Sequence, residues 1–241
     1  MGWTEILAKL QASREQLDGQ AEVFSLLVSS HRARIYCEKG CCNCCALTVN
    51  CSYPEALAIS YYVSEDQQAA IADKIPQLTV MSQQAQDLTE FLRLFRQQLG
   101  GCPLLDKAEG CCGIYPQRPL SCRALLSTRN SDWCAVDFSG LHPLEKQAYL
   151  SSLDQELVAF PTHYLAASQD LGLELESATI ASMQEQFGIG LSGNLIYQVW
   201  LEQEHRLSEV IAQGSGATRD YLAERKLDLR YLLRIHSGVD P

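Results

Sequence analysis

Cys37-Glu38-Lys39-Gly40-Cys41-Cys42-Asn43-Cys44-Cys45 puts five cysteines into nine residues, and the reading of this run decides what kind of chain surrounds it. The spacings from Cys37 to Cys41 and from Cys41 to Cys44 let one turn, or a helix N-terminus, aim successive thiolates at a common centre. The same turn offers backbone N–H groups to the sulfurs. Disulfides within the run would be strained, because its residues lie too close along the chain for a relaxed bridge. The chain has 11 cysteines, an odd number that excludes complete internal pairing. Disulfide-dense scaffolds are small and exported. This chain has 241 residues, and Met1–Leu10 carries Glu5 and Lys9 where a signal peptide needs an unbroken apolar core. Thiols packed this densely in a reducing cytoplasm, the expected location, are metal ligands.

A second group lies downstream. Cys102-Pro103-Leu104-Leu105 is followed by Cys111-Cys112-Gly113-Ile114-Tyr115, then Arg118-Pro119, Cys122-Arg123 and finally Cys134. A proline directly after a ligand cysteine stiffens its loop and closes one side of a cluster. Cys51 completes the first group, and nothing from Ala135 onward contains cysteine.

Taken together, Cys37-x3-Cys41-x2-Cys44-Cys45, Cys102-Pro103-x-Leu105 and Cys112-x-Ile114-Tyr115-x2-Arg118-Pro119-x2-Cys122-Arg123 closely resemble the YkgJ-like family of zinc- or iron-chelating cysteine-cluster domains. The likeness spans about residues 37–123. It implies metal ligation by Cys37, Cys41, Cys44, Cys45, Cys102, Cys112 and Cys122; Cys134 lies outside the family pattern and is a candidate eighth ligand, a number that would suit two four-cysteine centres. Cys42, Cys51 and Cys111 stand outside as bystanders. Family members are described as iron–sulfur oxidoreductases or as zinc or iron chelators, mostly without an assigned reaction. Flagellin lysine methylases, which are considerably longer, carry a similar signature.

Zinc sites of the structural kind take four ligands in two separated pairs, often including histidine. None of His31, His142, His163, His205 and His236 falls inside the motif. Adjacent Cys44 and Cys45 should diverge and serve two metal atoms more easily than one tetrahedral ion, which points to an iron–sulfur cluster, such as 4Fe–4S, with zinc as the alternative. Arg118 and Arg123 have two readings. In one, each caps a helix or pairs with an acidic residue; in the other, both contact the cofactor, lowering the charge of a thiolate–metal centre and raising its potential. Ile114 and Tyr115 are expected to pack against the loops.

Other classes are excluded. A formal net charge of −10 argues against nucleic acid as the main partner. No run approaches the ~18–20 apolar residues that span a bilayer, and Ile6 stands where a myristoylation signal wants Ser or Thr. The Cys37–Cys44 spacing is also that of radical SAM enzymes, but no alternating strand–helix pattern supports their barrel. Gly188-x-Gly190-x-x-Gly193 matches a dinucleotide fingerprint in letters, yet it follows a helical segment and is expected to be a loop.

The periodicity is helical throughout. Leu7, Leu10, Arg14 and Leu17 form a stripe behind a Thr4 cap, weakened by Arg14, and Phe24, Leu27 and Val28 mark a second helix. Pro54 opens a third, and Ser64 with Gln67 forms a capping box for a fourth. Met81, Ala85, Leu88, Leu92, Phe95 and Leu99 make the clearest stripe, closed by Gly100-Gly101. Further helices are expected from Pro143 through Leu153 and Leu157, from about Leu175 to Phe187, along Leu195–Ile211, and through Tyr221, Leu222, Leu232 and Leu233. The fold expected is mainly α, a helical bundle bracing cysteine-rich metal-binding loops, with little or no sheet. Residues 1–135 should hold the metal site and 136–241 a helical extension packed on it. The expected role is redox or cofactor handling by an iron–sulfur protein. The alternatives are a zinc-folded interaction protein and a metal-dependent, methylase-like group transfer. A protein partner would dock on the C-terminal helices, most visibly on an apolar stripe over Leu195–Ile211.

Overall fold

The computed structural model describes residues 2–38, 40–106 and 108–237. The strongest local signals in the N-terminal half are obeyed. Helix α1 (Trp3–Gly19) buries Ile6, Leu10, Arg14 and Leu17, and α2 (Ala21–Ser30) buries Phe24 and Val28. Gly2 caps α1, so Thr4 lies inside the first turn. The cysteine run folds into a 3-10 turn at Asn43–Ala46, and β1 (Asn50–Ser52) leads into α3 (Tyr53–Ser60), with Pro54 in its first turn. The capping box of Ser64 and Gln67 starts α4 (Glu65–Ala72) as expected.

The stripe from Met81 to Leu99 is split between α5 (Ile75–Gln84) and α6 (Leu88–Gln98). Ala85 turns extended, and the Asp87 carboxylate accepts from the Glu90 N–H and restarts the helix in a new phase. Phe91, Phe95 and Leu99 therefore face the core, while Leu88 and Leu92 are 54% and 42% exposed. The cysteine-bearing elements that follow are small: the hairpin of β2 (Leu105–Asp106) and β3 (Cys111–Cys112), then α7 (Leu120–Ala124) and α8 (Asp132–Ala135).

In the C-terminal part α9 (Pro143–Ser151) stops before Leu153 and Leu157, which are buried in the turns beyond it. Helix α10 (Ala166–Phe187) starts earlier than its periodicity suggests and ends, as expected, on a left-handed Gly188. The segment 188–193 is not a loop. It forms β4 (Ile189–Asn194), the centre of an antiparallel sheet ordered β1–β4–β5, in which Asn50 faces Asn194 and Gly193 faces Leu233. The expected long helix is broken at Arg206, whose φ is +47, into α11 (Leu195–His205) and α12 (Leu207–Ile211). After α13 (Ser215–Glu224) the chain leaves helix, so Leu233 begins β5 (Leu233–Ser237) instead of closing a last helix. The architecture is mainly helical with two small sheets.

Two hydrophobic cores result. One joins α3–α6 to α11–α13, and the other joins α1, α2 and α7 to Tyr149 of α9, Leu165 and α10. Each draws on both sides of residue 135. Leu195, Ile196, Val199, Leu207 and Ile211 all lie in the first core, so the stripe expected to receive a partner is consumed by folding. Among the described residues no helix is long and apolar enough to cross a membrane.

Gly193 marks the tightest approach in the sheet. A Cβ there would sit 2.2 Å from the carbonyl oxygen of Leu232, at a φ of +151. Gly193→Ala is expected to lower the unfolding free energy by ~2–4 kcal/mol in urea titrations. Gly216→Ala, in α13 with nothing within 4 Å of the added methyl, should be neutral or stabilising by up to ~1 kcal/mol. Equal stability of both variants would show that the β4–β5 approach is not tight.

Candidate metal centre

Short elements carry the cysteines, and backbone bonds position them. Inside the first loop Cys41 N donates to Glu38 O at 3.1 Å, Cys45 N to Cys42 O at 2.9 Å and Leu47 N to Cys44 O at 3.0 Å. Cys102 N donates to Cys45 O at 2.9 Å and stitches the second group onto the first. The segment after α7 closes the other side. Ser127 O accepts from Tyr36 N at 2.9 Å, Ser127 N donates to Cys37 Sγ at 3.1 Å, and Thr128 N donates to His163 O at 3.0 Å.

Helix α7 is too short to hold itself. The fully buried Glu55 accepts from Leu120 N at 2.7 Å with one oxygen, and from Ser52 N and Ser52 Oγ at 2.8 and 2.7 Å with the other. Ser121 Oγ donates to Asn50 O, and Ser168 Oγ of α10 donates to Ala124 O, both at 2.7 Å. Gly172 lets α10 pass against α7, since a Cβ there would lie 2.6 Å from that of Ala124. Cys122 thus sits on a helix clamped by β1, α3 and α10.

Cys44 is the hub of the thiols. Cys37, Cys102, Cys112, Cys122, Cys134 and Tyr164 are each pushed upward chiefly by burial, and ionisation of Cys44 would push each of them further. Cys102 is pushed up to about 12. Cys44 itself is raised first by the neighbouring Cys45 thiol and then by burial. These adjacent side chains lie together, against the expectation that they diverge, because the 3-10 turn leaves both on the inner side. Cys37 is the one cysteine exposed as a residue, yet packing around its sulfur still raises it, opposed by the Ser127 N–H. Cys134, buried on α8, has its Sγ 3.4 Å from His163 Nε2, and His163 Nδ1 lies 2.8 Å from the Tyr149 hydroxyl. Burial, then Arg129, lowers His163 to about 4, so the imidazole is neutral.

The two arginines part company. The Arg118 guanidinium stacks 3.8 Å from the centre of the Tyr115 ring and draws the Cys44, Cys112 and Cys122 thiols downward. Among the described residues its buried Nε has no partner. Arg123 pairs with Asp18 and donates to the carbonyls of Pro116 and, at 2.9 Å, Arg118, so it fastens the turn that presents Arg118. Ile114 is buried in the core below.

The bystanders have other surroundings. Cys51 is buried in β1 and contacts Gln198 Nε2 at 3.6 Å. Cys111 sits next to Cys112 on a strand, where successive side chains point to opposite faces. Cys42 caps the 3-10 turn. Among the described residues no three histidine, cysteine or carboxylate side chains converge closely enough to hold one ion as they stand. The donor set nevertheless suits a soft metal: clustered thiols and one guanidinium whose buried Nε has no partner among the described residues.

Three contributors escaped the sequence reading. Glu55 had a signal, the spacing Ser52-x-x-Glu55 of a capping box. Arg14 on an apolar stripe was another, since a buried guanidinium demands a partner, and it finds Gln117. His163 had none, because only tertiary pairing brings it to Cys134.

Fold and site together define a cysteine-rich metal-chelating domain braced by helices. Residues 36–137 match the model of the CxxCxxCC family, described as "Putative zinc- or iron-chelating domain", which bears out the resemblance read from the spacing. No curated protein and no solved structure matches the chain.

The clamp on α7 is testable. Glu55→Ala leaves the Ser52 and Leu120 N–H groups without an acceptor and should cost ~3 kcal/mol, with faster alkylation of Cys122 in peptide mapping. Glu55→Gln should cost less. Unchanged melting and unchanged Cys122 alkylation in Glu55→Ala would remove Glu55 from the support of the site.

Proposed function

We propose that the domain holds an iron–sulfur cluster in a redox or cofactor-handling role, with Cys44 at its centre. Cys37, Cys41, Cys45, Cys102, Cys112, Cys122 and Cys134 are the candidate surrounding ligands. The observation that carries this reading is the electrostatic reach of Cys44 to six of those thiols, all but Cys41, beside Arg118. So many thiols about one sulfur exceed what a single tetrahedral ion uses. Arg118 offsets anionic charge, and its free Nε is a donor for a sulfur, which would favour the reduced state.

A second reading rests on one contact. His163 presents Nε2 to Cys134 while Nδ1 is held by Tyr149, the arrangement that fixes a metal-binding imidazole. Cys37 and Cys134 both meet Ser127, so Cys37, Cys41, Cys134 and His163 would make a zinc set of the structural kind.

Anaerobic purification with iron, sulfide and zinc analysis separates the two. The expected result is iron and acid-labile sulfide in comparable amounts with visible absorption, lost in Cys44→Ser and retained in Cys42→Ala and Cys111→Ala. A colourless protein with stoichiometric zinc, released by His163→Ala, would replace the first reading by the second.

The pH dependence has opposite signs with and without metal. Buried thiols keep their protons in the folded chain, to about 12 for Cys102 against 9.0 for the ordinary group. The metal-free protein therefore loses stability as pH rises above about 9. Metal displaces those protons, so its apparent affinity should rise with pH, by about tenfold per unit for each thiol that ionises on binding. Chelator competition at pH 6, 7 and 8 measures this, and an affinity independent of pH would exclude thiolate ligation.

A further inference from the structure

A cleft of about 410 Å³, a size typical of sites for small organic molecules, is lined in part by Cys134. Its walls are aromatic. Trp133 lies 4.8 Å from Tyr149 between ring centres, Phe138 meets Tyr149 edge-on at 4.6 Å, and Tyr164 stands beyond His163. Cys134 and His163, with Sγ and Nε2 3.4 Å apart, also line it. Two cations line it. Arg96 donates to Cys134 O at 3.3 Å and feels Asp137, whereas Lys146 of α9 makes no ion pair among the described residues. In a chain of net charge −10, an aromatic cleft with two cations and, among the described residues, no lining carboxylate selects for ring and negative charge together.

We propose that this cleft binds a small aromatic carboxylate, its ring against Trp133, Phe138 and Tyr149 and its carboxylate toward Lys146 and Arg96. The rings supply edge-to-face and stacked surfaces for an aromatic body. The two cations form charge-assisted bonds with the carboxylate, and Arg96, already anchored to the Cys134 carbonyl, needs little further ordering. A ligand so placed touches Cys134 and His163 directly, so occupancy of the cleft and the state of the cysteine centre would be coupled. The cleft stands on its own walls and charges, whichever metal the cysteines hold.

Calorimetric titration of the full chain as isolated, with metal content measured on the same sample, tests the inference. Benzoate, 3-phenylpropionate and indole-3-acetate are the probes, with 3-phenylpropan-1-ol as the uncharged control. At least one carboxylate should bind saturably at one site, and at least tenfold more tightly than the alcohol. Lys146→Ala, a partly exposed substitution that leaves the core intact, should weaken it at least tenfold, and Phe138→Ala should weaken carboxylate and alcohol alike. No saturable binding by any of the three probes, equal affinity for the alcohol, or unchanged affinity in Lys146→Ala would overturn the proposal. A zinc-loaded, colourless protein that still binds the carboxylate would defeat the iron–sulfur reading and leave the cleft standing. An iron–sulfur protein whose cleft takes none of the probes would do the reverse.

Discussion

The Glu55 carboxylate, buried between the first turns of two helices, is the contact on which the cysteine region depends. A carboxylate removed from water costs several kcal/mol unless its lone pairs are used. Here Ser52 N, Ser52 Oγ and Leu120 N use them, and Arg14 lies close enough to feel its charge. The same group thereby ends the strand that leaves the first cysteine loop and begins the helix that carries Cys122. A five-residue helix has no stability of its own, so the position of Cys122 relative to Cys44 is set largely by this one side chain and by α10 behind it. Glu176 of α10, pushed up to about 8 by burial and by Glu55, keeps a proton at neutral pH, which avoids a second charge in the same enclosure.

How much of this could be read in advance depends on the range of the determining contact. Pro54, the Ser64–Gln67 capping box and the Gly188 stop act within one turn, and each does what its residues say. The cysteine spacing is likewise local. Phase was the first casualty of longer range: Asp87 restarts a helix inside an apparently continuous stripe, and Arg206 breaks another. The sheet was invisible for a different reason. β4 reads Ile-Gly-Leu-Ser-Gly-Asn, whose glycines look like loop, and its partners at Asn50 and Leu233 lie far along the chain in both directions. A strand pairing of that separation leaves no period in the sequence. At the site, neighbouring side chains such as Cys44 and Cys45 are expected to diverge, whereas a 3-10 turn brings these two together.

The C-terminal half, which the cysteine motif leaves out, turns out to supply much of the wall around the site. Helix α10 presses on α7 through Gly172 and Ser168, and the 163–165 segment pairs with 126–128 to set His163 beside Cys134. Burial of Leu195–Ile211 completes the first core. The two halves therefore share both cores, and removing residues beyond 135 would strip α7 and α8 of their supports while leaving every motif cysteine in place.

Neutral thiols behave as small apolar groups and pack without penalty, whereas thiolates crowded about Cys44 would repel one another. Burial holds Cys37, Cys102, Cys112, Cys122 and Cys134 on the neutral side, so the loops can be assembled by backbone bonds and the Glu55 clamp before any cation arrives. Ionisation then becomes favourable only when positive charge enters among the sulfurs. Arg118 supplies one such charge in advance, from a turn that Arg123 and Asp18 fasten. The neighbouring arginines of the motif are thus differently engaged: the Arg123 guanidinium is held by Asp18 and by the carbonyls of Pro116 and Arg118, while that of Arg118 stacks on Tyr115 and draws the Cys44, Cys112 and Cys122 thiols downward.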